Sequence, residues 1–332
     1  MAEVIASTGQ GEVLDGERRT IETYQLRGAL DRRSTMRVVS GTGELHVDHY
    51  PSERPGGGES KGAVVFVHGL SGHCLMYAGF LDALSRRGFE VYGIDVRGHG
   101  RSSGPAGDFT METVVQDLAT GVELARDRGE ERVALFGSSL GGYWSLAGAN
   151  AIEDVDLCIS HWVMLPDMPV TRLDRRMRPV AKVLSRLAPR MHRDTKTIAN
   201  WDAVCDDPRL VEDVYADPMM TWQYTMRALA SGIEYSPPRP LTDLRVPQLV
   251  LIGEEDGMTP LEYTRRVAER LRGELDLHVV PNAGHMGGLI EHRPEVLAVA
   301  DHWLTSRFPL VEPRSAPGGT GAGREPAGVG TG

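Results

Sequence analysis

The sequence predicts an α/β protein with a mostly parallel, doubly wound sheet and a helical cap inserted after the sixth strand. Three observations predict this class. Short apolar runs rich in β-branched residues alternate with segments of helical period, which is the arrangement of βαβ units. The pattern becomes irregular from about residue 161 to residue 240, and the alternation resumes after residue 247, so a separate unit interrupts one domain. The chain has 332 residues, which is enough to bury one large core.

The core elements follow from these local patterns. A hairpin is expected first, and Gly88 stops the first helix of the parallel part. The predicted strands are residues 36–39, 44–50, 63–68, 90–94, 133–136, 155–159, 248–252 and 275–280. The predicted helices of the core are residues 76–87, 111–128, 140–151, 261–272 and 294–308.

The two ends of the chain differ from its middle. Residues 1–35 are polar and show no sustained period, so we expect a loose N-terminal arm. Residues 312–332 are rich in Gly, Pro and Ala and hold almost nothing to bury, so they are predicted to be disordered. Residues 36–160 and 241–311 are then predicted to form the core, and residues 161–240 the cap.

Composition excludes several classes of protein. Hydrophobic residues make up 41% and charged residues 25%, as in a globular protein. The formal charge of −10 argues against nucleic acid or an anionic membrane as the main partner and favours a neutral or apolar small molecule. The three cysteines form no metal-binding or redox motif, which predicts buried thiols in a reducing compartment. Neither a leader pattern nor a long apolar run occurs, so we expect a cytoplasmic location.

The strongest chemical signal is a GxSxG motif centred on Ser139, between a predicted strand and a predicted helix. The central serine of such a motif lies on a tight, strained turn, and side chains two residues away on either side would collide. Glycines occupy both of those positions here. Centring the motif on Ser138 would put Phe136 and Leu140 there instead. Ser139 is therefore the candidate nucleophile.

A serine hydroxyl is weakly nucleophilic, so it needs a base, and the base needs an orienting acid. His285 directly follows the last predicted strand, where a loop can carry its imidazole over the sheet edge. Three carboxylates follow the preceding strand. Asp256, at the apex of that loop, is preferred as the acid over Glu254 and Glu255, which we interpret as solvated charges.

Two glycine-rich loops complete the predicted site. Acyl transfer needs two N–H donors for the oxyanion. Leu140, after the nucleophile, supplies one, and Leu70, in the loop after the first parallel strand, supplies the other unless that loop is an ordinary tight turn. The second loop, residues 95–104, is predicted to be architectural, with an ion pair between Asp95 and Arg97. No phosphate-binding loop, dinucleotide fingerprint or metal-ligand spacing occurs, so neither a cofactor nor a metal is predicted.

Together these residues resemble the α/β-hydrolase fold, and within it the monoacylglycerol lipase and lysophospholipase-like branch. The resemblance covers about residues 60–308. It rests on five motifs, namely residues 66–73 (FVHGLSGH), residues 92–104 (YGIDVRGHGRSSG), the turn at Ser139, residues 253–256 (GEED) and residues 283–285 (AGH). It implies a Ser139, Asp256 and His285 triad, with an oxyanion hole at Leu70 and Leu140. The activity implied is hydrolysis of carboxylic esters of apolar acyl chains through an acyl-enzyme on Ser139.

The sequence departs from the pattern of that branch in two places. Ser138 stands where histidine is frequent before the nucleophile. The strand before the cap runs on through His161, Trp162 and Met164 where a short Ser/Ala-Pro turn is more usual. We therefore expect these three residues near the substrate pocket.

The cap itself indicates an apolar ligand. Val180, Val183, Leu184 and Leu187 recur at helical spacing. Seven of the 13 methionines lie between residues 161 and 240, and their flexible side chains suit a surface that adapts to acyl chains, although they also fill gaps in a loosely packed cap. An ester with an apolar acyl group is the expected partner, and transient contact of the cap with lipid or a membrane is a further expectation.

Two alternative hypotheses stay open. The same triad could act on a thioester, an amide or a carbon–carbon bond, or serve as a perhydrolase, because a fold does not fix a function. A catalytically silent relative would instead bind a small ligand or a partner protein, but a binding module needs no triad.

Overall fold

One nine-stranded sheet forms the centre of the protein in the computed structural model, which describes residues 1–54, 59–170, 172–286, 289–290 and 294–310. The strands of this sheet are β1 (Val4–Ser7), β2 (Ser34–Ser40), β3 (Gly43–Tyr50), β4 (Ala63–Val67), β5 (Glu90–Asp95), β6 (Val133–Ser138), β7 (Leu157–His161), β10 (Gln248–Gly253) and β11 (Leu275–Val280). A separate hairpin pairs β8 (His192–Asp194) with β9 (Gln223–Thr225). The helices are α1 (Arg18–Thr23), α2 (Arg27–Leu30), α3 (Ala78–Ser85), α4 (Met111–Asp127), α5 (Leu140–Ala151), α6 (Arg172–Leu187), α7 (Pro208–Ala216), α8 (Met226–Glu234), α9 (Leu261–Ala268) and α10 (Pro294–Arg307).

The strand order of the large sheet is β1-β2-β3-β5-β4-β6-β7-β10-β11. Six neighbouring strands of this sheet are mutually parallel, namely β5, β4, β6, β7, β10 and β11. The pairs β1–β2, β2–β3 and β3–β5 are antiparallel. Alternate side chains reach opposite faces: Phe66 and Phe136 join the apolar cluster under α3 and α10, whereas Val65 and Leu135 join the cluster under α4, α5 and α9. The prediction of a mostly parallel, doubly wound α/β fold is confirmed.

The N-terminal segment is packed on the core. β1 pairs with β2, and the fully buried Arg33 forms ion pairs with Glu17 (2.6 Å) and Asp48 (3.3 Å). The prediction of a loose arm over residues 1–35 was wrong, because buried ion pairs leave no hydrophobic period in the sequence. The additional strand β1 also makes β7 the seventh strand in chain order, so the insertion follows the seventh strand.

The chain between β7 and β10 forms α6, α7, α8 and the β8–β9 hairpin. β7 extends through His161, so the inserted segment begins after that residue.

Residues 312–332, for which disorder is predicted, lie outside the described residues. Cys74, Cys158 and Cys205 are buried thiols, as predicted, and no disulfide joins any two of them. Among the described helices, none combines the length and the apolar character that a membrane span requires.

The parallel strands bring the candidate residues together. β4, β6 and β10 consist mainly of apolar residues and are buried at every position, as central parallel strands should be. Because β4, β6, β10 and β11 run in one direction, their carboxyl ends lie at one edge of the sheet. The loops that leave this edge carry Leu70, Ser139, Asp256 and His285.

Candidate active site

Ser139 occupies the sharp turn between β6 and α5. Its backbone has φ 53° and ψ −122°, a strained conformation for a residue with a side chain. A Cβ atom on Gly137 would lie 1.9 Å from the carbonyl oxygen of Gly141, and one on Gly141 would lie 2.4 Å from the carbonyl oxygen of His68. Only glycine fits at either position, which is the steric reason for the motif.

Ser139, His285 and Asp256 form a continuous line of hydrogen bonds. The Oγ atom of Ser139 lies 2.7 Å from Nε2 of His285, and Nδ1 of His285 lies 2.7 Å from Oδ2 of Asp256. Because a carboxylate only accepts, Nδ1 carries the hydrogen, and Nε2 can accept the serine proton. The neighbouring side chains of Glu254 and Glu255 are exposed. Of the three carboxylates considered, Asp256 is the one that meets the imidazole.

The Asp256 carboxylate is held in its ionised form. Its Oδ1 atom accepts the backbone N–H groups of Met258 (2.9 Å) and Thr259 (2.7 Å). Burial by itself would raise the pKa of Asp256, but the hydrogen bond from His285, the favourable electrostatic interaction with that imidazole and the N–H of Thr259 together hold the pKa below its ordinary value. A charged carboxylate is what orients an imidazole and stabilises its protonated form.

Two backbone N–H groups are available beside the serine. The loop after β4 passes directly against Ser139, since a Cβ atom on Gly69 would lie 2.9 Å from the Cβ of Ser139. Leu70 and Leu140 both line the cavity at this point. Within the described chain, no acceptor receives the N–H of either leucine. Both donors are therefore free to bind an oxygen atom of a ligand.

A cavity of about 860 Å³ opens beside Ser139 and His285. Its walls come from both the core and the inserted segment, and most of the side chains that form them are apolar. Trp162 and Met164 line this cavity. The site can therefore bring an apolar ligand group next to a serine hydroxyl that is already hydrogen-bonded to an imidazole.

His161 lies near the cavity but is not among the residues that line it. Its side chain is 3% exposed, and its ring centroid is 6.1 Å from that of His285. Burial, together with repulsion from His285, lowers the pKa of His161 to about 3, so this imidazole is neutral. His161, the last residue of β7, thus lies beside the imidazole of His285 without lining the cavity itself.

In the second glycine-rich loop, residues 95–104, the two charged side chains of the predicted ion pair have other partners. Arg97 pairs with Asp117 on α4, with Nε 3.0 Å from Oδ2. Asp95 instead accepts the backbone N–H groups of Cys74 (2.7 Å) and Arg101 (2.9 Å). The predicted Asp95–Arg97 pair was therefore wrong, because the Asp95 carboxylate satisfies turn N–H groups that would otherwise be buried without partners.

Sequence reasoning missed the contacts between the inserted segment and the loop of His285. The N–H of Gly284 donates to Oδ2 of Asp206 (2.9 Å), and the N–H of Met286 donates to the carbonyl oxygen of Val204 (2.9 Å). These bonds bracket His285 on both sides. A single aspartate and a backbone carbonyl have no spacing pattern, so no sequence signal marks them.

The family model described as Serine aminopeptidase, S33 matches residues 58–288. The chain belongs to this family. This α/β-hydrolase is 29% identical to the monoacylglycerol lipase of Mycolicibacterium smegmatis over 264 residues, which are 75% of this chain and 90% of the relative. It also resembles the crystal structure of Paleococcus ferrophilus monoacylglycerol lipase, with a TM-score of 0.67 and 25% identity over 80% of this chain and 99% of that one.

A soluble variant of monoglyceride lipase from Saccharomyces cerevisiae, solved with a substrate analog, has a TM-score of 0.67 at 18% identity and covers 82% of this chain and 94% of its own. This likeness concerns the fold. The family match and the monoacylglycerol lipase relatives confirm the resemblance that the motifs predict. The α/β-hydrolase described here is a carboxylic-ester hydrolase of the monoacylglycerol lipase-like branch.

Proposed function

We propose that this hydrolase cleaves carboxylic esters of apolar acyl chains through an acyl-enzyme on Ser139. The observation that carries the proposal is the pair of 2.7 Å hydrogen bonds from Ser139 to His285 and from His285 to Asp256. Ser139 and His285 line an apolar cavity of about 860 Å³. The monoacylglycerol lipase relatives support a monoacylglycerol as the ester.

The reaction follows from the hydrogen-bond directions. As Oγ of Ser139 attacks the ester carbonyl, its proton passes to Nε2 of His285, and Asp256 stabilises the imidazolium. The carbonyl oxygen becomes an anion and accepts the N–H groups of Leu70 and Leu140. The His285 proton then passes to the alcohol as the C–O bond breaks. Water then attacks the acyl-enzyme and gives a proton to Nε2 of His285, which returns it to Oγ of Ser139 as the bond to the acyl group breaks and the acid leaves.

The cavity supports an apolar acyl group. Side chains from the core and from the inserted segment form its wall, among them Met164, Val180, Leu184, Met220, Met226 and Leu229. Burying an alkyl chain against such a surface contributes about 0.8 kcal/mol per CH₂ group. The volume falls in the range of pockets that enclose most of a small ligand.

The first experiment is intact-mass analysis after treatment with a fluorophosphonate, followed by a p-nitrophenyl ester series from acetate to palmitate. One adduct on Ser139 and turnover of the esters are expected. In Ser139→Ala, both the adduct and turnover should disappear, with a rate loss of about 10⁴-fold or more. Ester hydrolysis by Ser139→Ala at the wild-type rate would refute the proposal. Labelling of Ser139 without ester turnover would refute the ester assignment and favour another bond.

We also propose that the inserted segment contacts lipid surfaces transiently. Val183 and Leu187 on α6 are 54% and 79% exposed. Met177, Val180 and Ile198 are exposed too, and these three also line the cavity, so the apolar patch borders the cavity mouth. An ester that enters from a lipid surface would reach Ser139 without crossing water.

The charge of the same segment favours an anionic lipid surface. Residues 175–196 contain eight Lys or Arg residues and one Asp, in a chain of net charge −10. Arg175, Arg176, Arg190 and Arg193 are exposed and pair with no carboxylate of the described residues. A helix with a basic face and an apolar face is suited to lie in a membrane interface. The overall negative charge, which argues against an anionic membrane, is thus reversed locally.

A further inference from the structure

We propose that Tyr224, in the inserted segment, is a positioning residue that fixes the oxyanion loop, defined here as residues 69–73. Its hydroxyl would act through Ser71 on the neighbouring N–H of Leu70. The inference rests on the oxyanion hole of the proposed function. It assigns to the inserted segment a part in the chemical step, in addition to its part in the cavity wall.

Ser71 is held entirely by the inserted segment. Its φ of 62° lies in the left-handed region, which disfavours a residue with a side chain. The N–H of Ser71 donates to Oη of Tyr224 (2.8 Å), and its carbonyl oxygen accepts the N–H of Thr221 (2.8 Å). Its Oγ lies 2.8 Å from Oγ1 of Thr195. All three polar groups of a strained residue beside Leu70 therefore depend on the inserted segment.

The direction of these bonds fixes what Tyr224 does. The carbonyl oxygen of Arg97 only accepts, so Nδ1 of His99, which lies 3.2 Å away, carries a hydrogen. Nε2 of His99 then accepts the hydroxyl hydrogen of Tyr224, leaving the oxygen of Tyr224 to accept from Ser71. Burial lowers the pKa of His99 to about 3, which keeps this imidazole neutral and able to accept. The loop of residues 95–104 thereby supports the oxyanion loop through Tyr224.

The ring of Tyr224 is held independently of its hydroxyl. It packs edge-on against His99 and Phe109, with ring centroids 5.3 and 5.2 Å away, and only 1% of its surface is exposed. A phenylalanine would keep these ring contacts. It would leave the N–H of Ser71 and Nε2 of His99 without their partner. Tyr224→Phe therefore isolates the positioning role from packing.

A displaced Leu70 N–H should weaken the tetrahedral state more than the bound ester, because the anion exists only in the former. We expect Tyr224→Phe to lower kcat about tenfold, less than the 10²- to 10³-fold cost of losing an oxyanion donor. KM should stay within about twofold of the wild-type value.

The test compares Tyr224→Phe with the matched control Tyr263→Phe. Tyr263 is also buried, donates to the carbonyl oxygen of Met168 (2.8 Å) and lies outside the cavity lining. The readouts are kcat and KM for one p-nitrophenyl ester and the Ki of a trifluoromethyl ketone with the same acyl chain, which forms a tetrahedral adduct on serine. In Tyr224→Phe, Ki should rise by the factor by which kcat/KM falls. In Tyr263→Phe, kcat should be unchanged.

Wild-type kcat in Tyr224→Phe, or a raised KM with unchanged kcat, would overturn the inference. If Tyr224→Phe does not fold, Thr195→Val serves instead, because it removes the hydroxyl that meets Oγ of Ser71; a matched change of Ki and kcat/KM is again expected, and wild-type values overturn the inference. A wild-type enzyme that neither hydrolyses esters nor labels at Ser139 would refute the proposed function itself. Ester turnover by wild type with an unaltered Tyr224→Phe would refute only the inference.

Discussion

The backbone N–H of Gly284 donates to the carboxylate of Asp206 across 2.9 Å, so the inserted segment holds the loop that carries His285. A Cβ atom on Gly284 would lie 2.0 Å from Oδ1 of Asp206, so any other residue at position 284 would have to displace that carboxylate. The loop of the predicted base and the inserted segment are thus fitted to one another.

This contact predicts the effect of changing Asp206. Asp206→Ala should lower kcat about tenfold with little change in KM, because the His285 loop loses an acceptor and the imidazole samples a wider range of positions. Asp206→Asn keeps an acceptor oxygen and should recover most of the activity. Steady-state kinetics on one p-nitrophenyl ester measures both. Equal rates for the alanine variant and the wild type would show that the loop is held by its other contacts.

The buried pair between His73 and Asp217 predicts a pH dependence of stability. Nε2 of His73 lies 2.8 Å from Oδ2 of Asp217, and Oδ1 of Asp217 accepts the Thr20 hydroxyl at 2.7 Å. Burial alone would lower the pKa of His73, but the hydrogen bond and charge of Asp217 outweigh it and raise the pKa above 6.5. Burial alone would raise the pKa of Asp217, yet its bonds to His73 and neighbouring groups bring it below 3.8.

The two pKa shifts determine how the folding stability changes with pH, because a group whose pKa differs between the folded and unfolded states links folding to proton binding. The His73 contribution is complete below its unfolded pKa of 6.5 and is lost as the pH rises through the folded value. The Asp217 contribution is complete above 3.8 and is lost as the pH falls. Urea unfolding of the wild type and His73→Gln should therefore differ more at about pH 5 than at about pH 8. The same difference at both values would contradict a charged pair.

The cavity predicts a dependence on acyl length. kcat/KM for p-nitrophenyl esters should rise by up to about fourfold per added CH₂ until the cavity is full, since each buried CH₂ contributes about 0.8 kcal/mol. Leu184→Trp fills part of the cavity wall and should move the optimum to shorter chains. Leu277→Trp, on β11 and outside the lining, is the control. An unchanged optimum in Leu184→Trp would mean that acyl chains bind elsewhere.

The basic, apolar surface of α6 predicts selective binding to anionic vesicles. A larger fraction of the enzyme should co-sediment with phosphatidylglycerol vesicles than with phosphatidylcholine vesicles. The double variant Arg175→Glu, Arg176→Glu should weaken this binding about tenfold or more, since each basic residue near such a surface contributes about 1 kcal/mol. The control double variant Arg265→Glu, Arg266→Glu changes exposed residues on α9 by the same charge. Equal losses in the two double variants would indicate that only net charge matters.

The sequence predicts the candidate site because the site is built from local patterns. The steric demands of the turn at Ser139 leave two glycines in a fixed place, and Asp256 and His285 follow strands whose ends meet at one sheet edge. These are short-range signals. The alternation of apolar runs and helical segments likewise predicts the α/β fold.

The polar contacts between distant segments could not be predicted in this way. Arg33 meets Glu17 and Asp48 within the core, and Tyr224 meets Ser71 across 153 residues of sequence. Such contacts depend on how the helices, strands and loops pack against one another, and the residues that form them recur at no regular spacing in the sequence. The prediction of a loose arm at residues 1–35 was wrong for the same reason, because the contacts that hold this segment leave no spacing pattern in the sequence.

The first strand of the sheet has a consequence for self-association. β1 covers the hydrogen-bonding edge of β2, which would otherwise be a seven-residue template for a strand of another molecule. β1 itself is four residues long, and its pairing slips between Val4 and Ala6. A short, irregular edge offers few aligned N–H and C=O groups to an incoming chain. Removing the first eight residues should therefore make the enzyme prone to edge-to-edge aggregation while leaving Ser139, Asp256 and His285 in place.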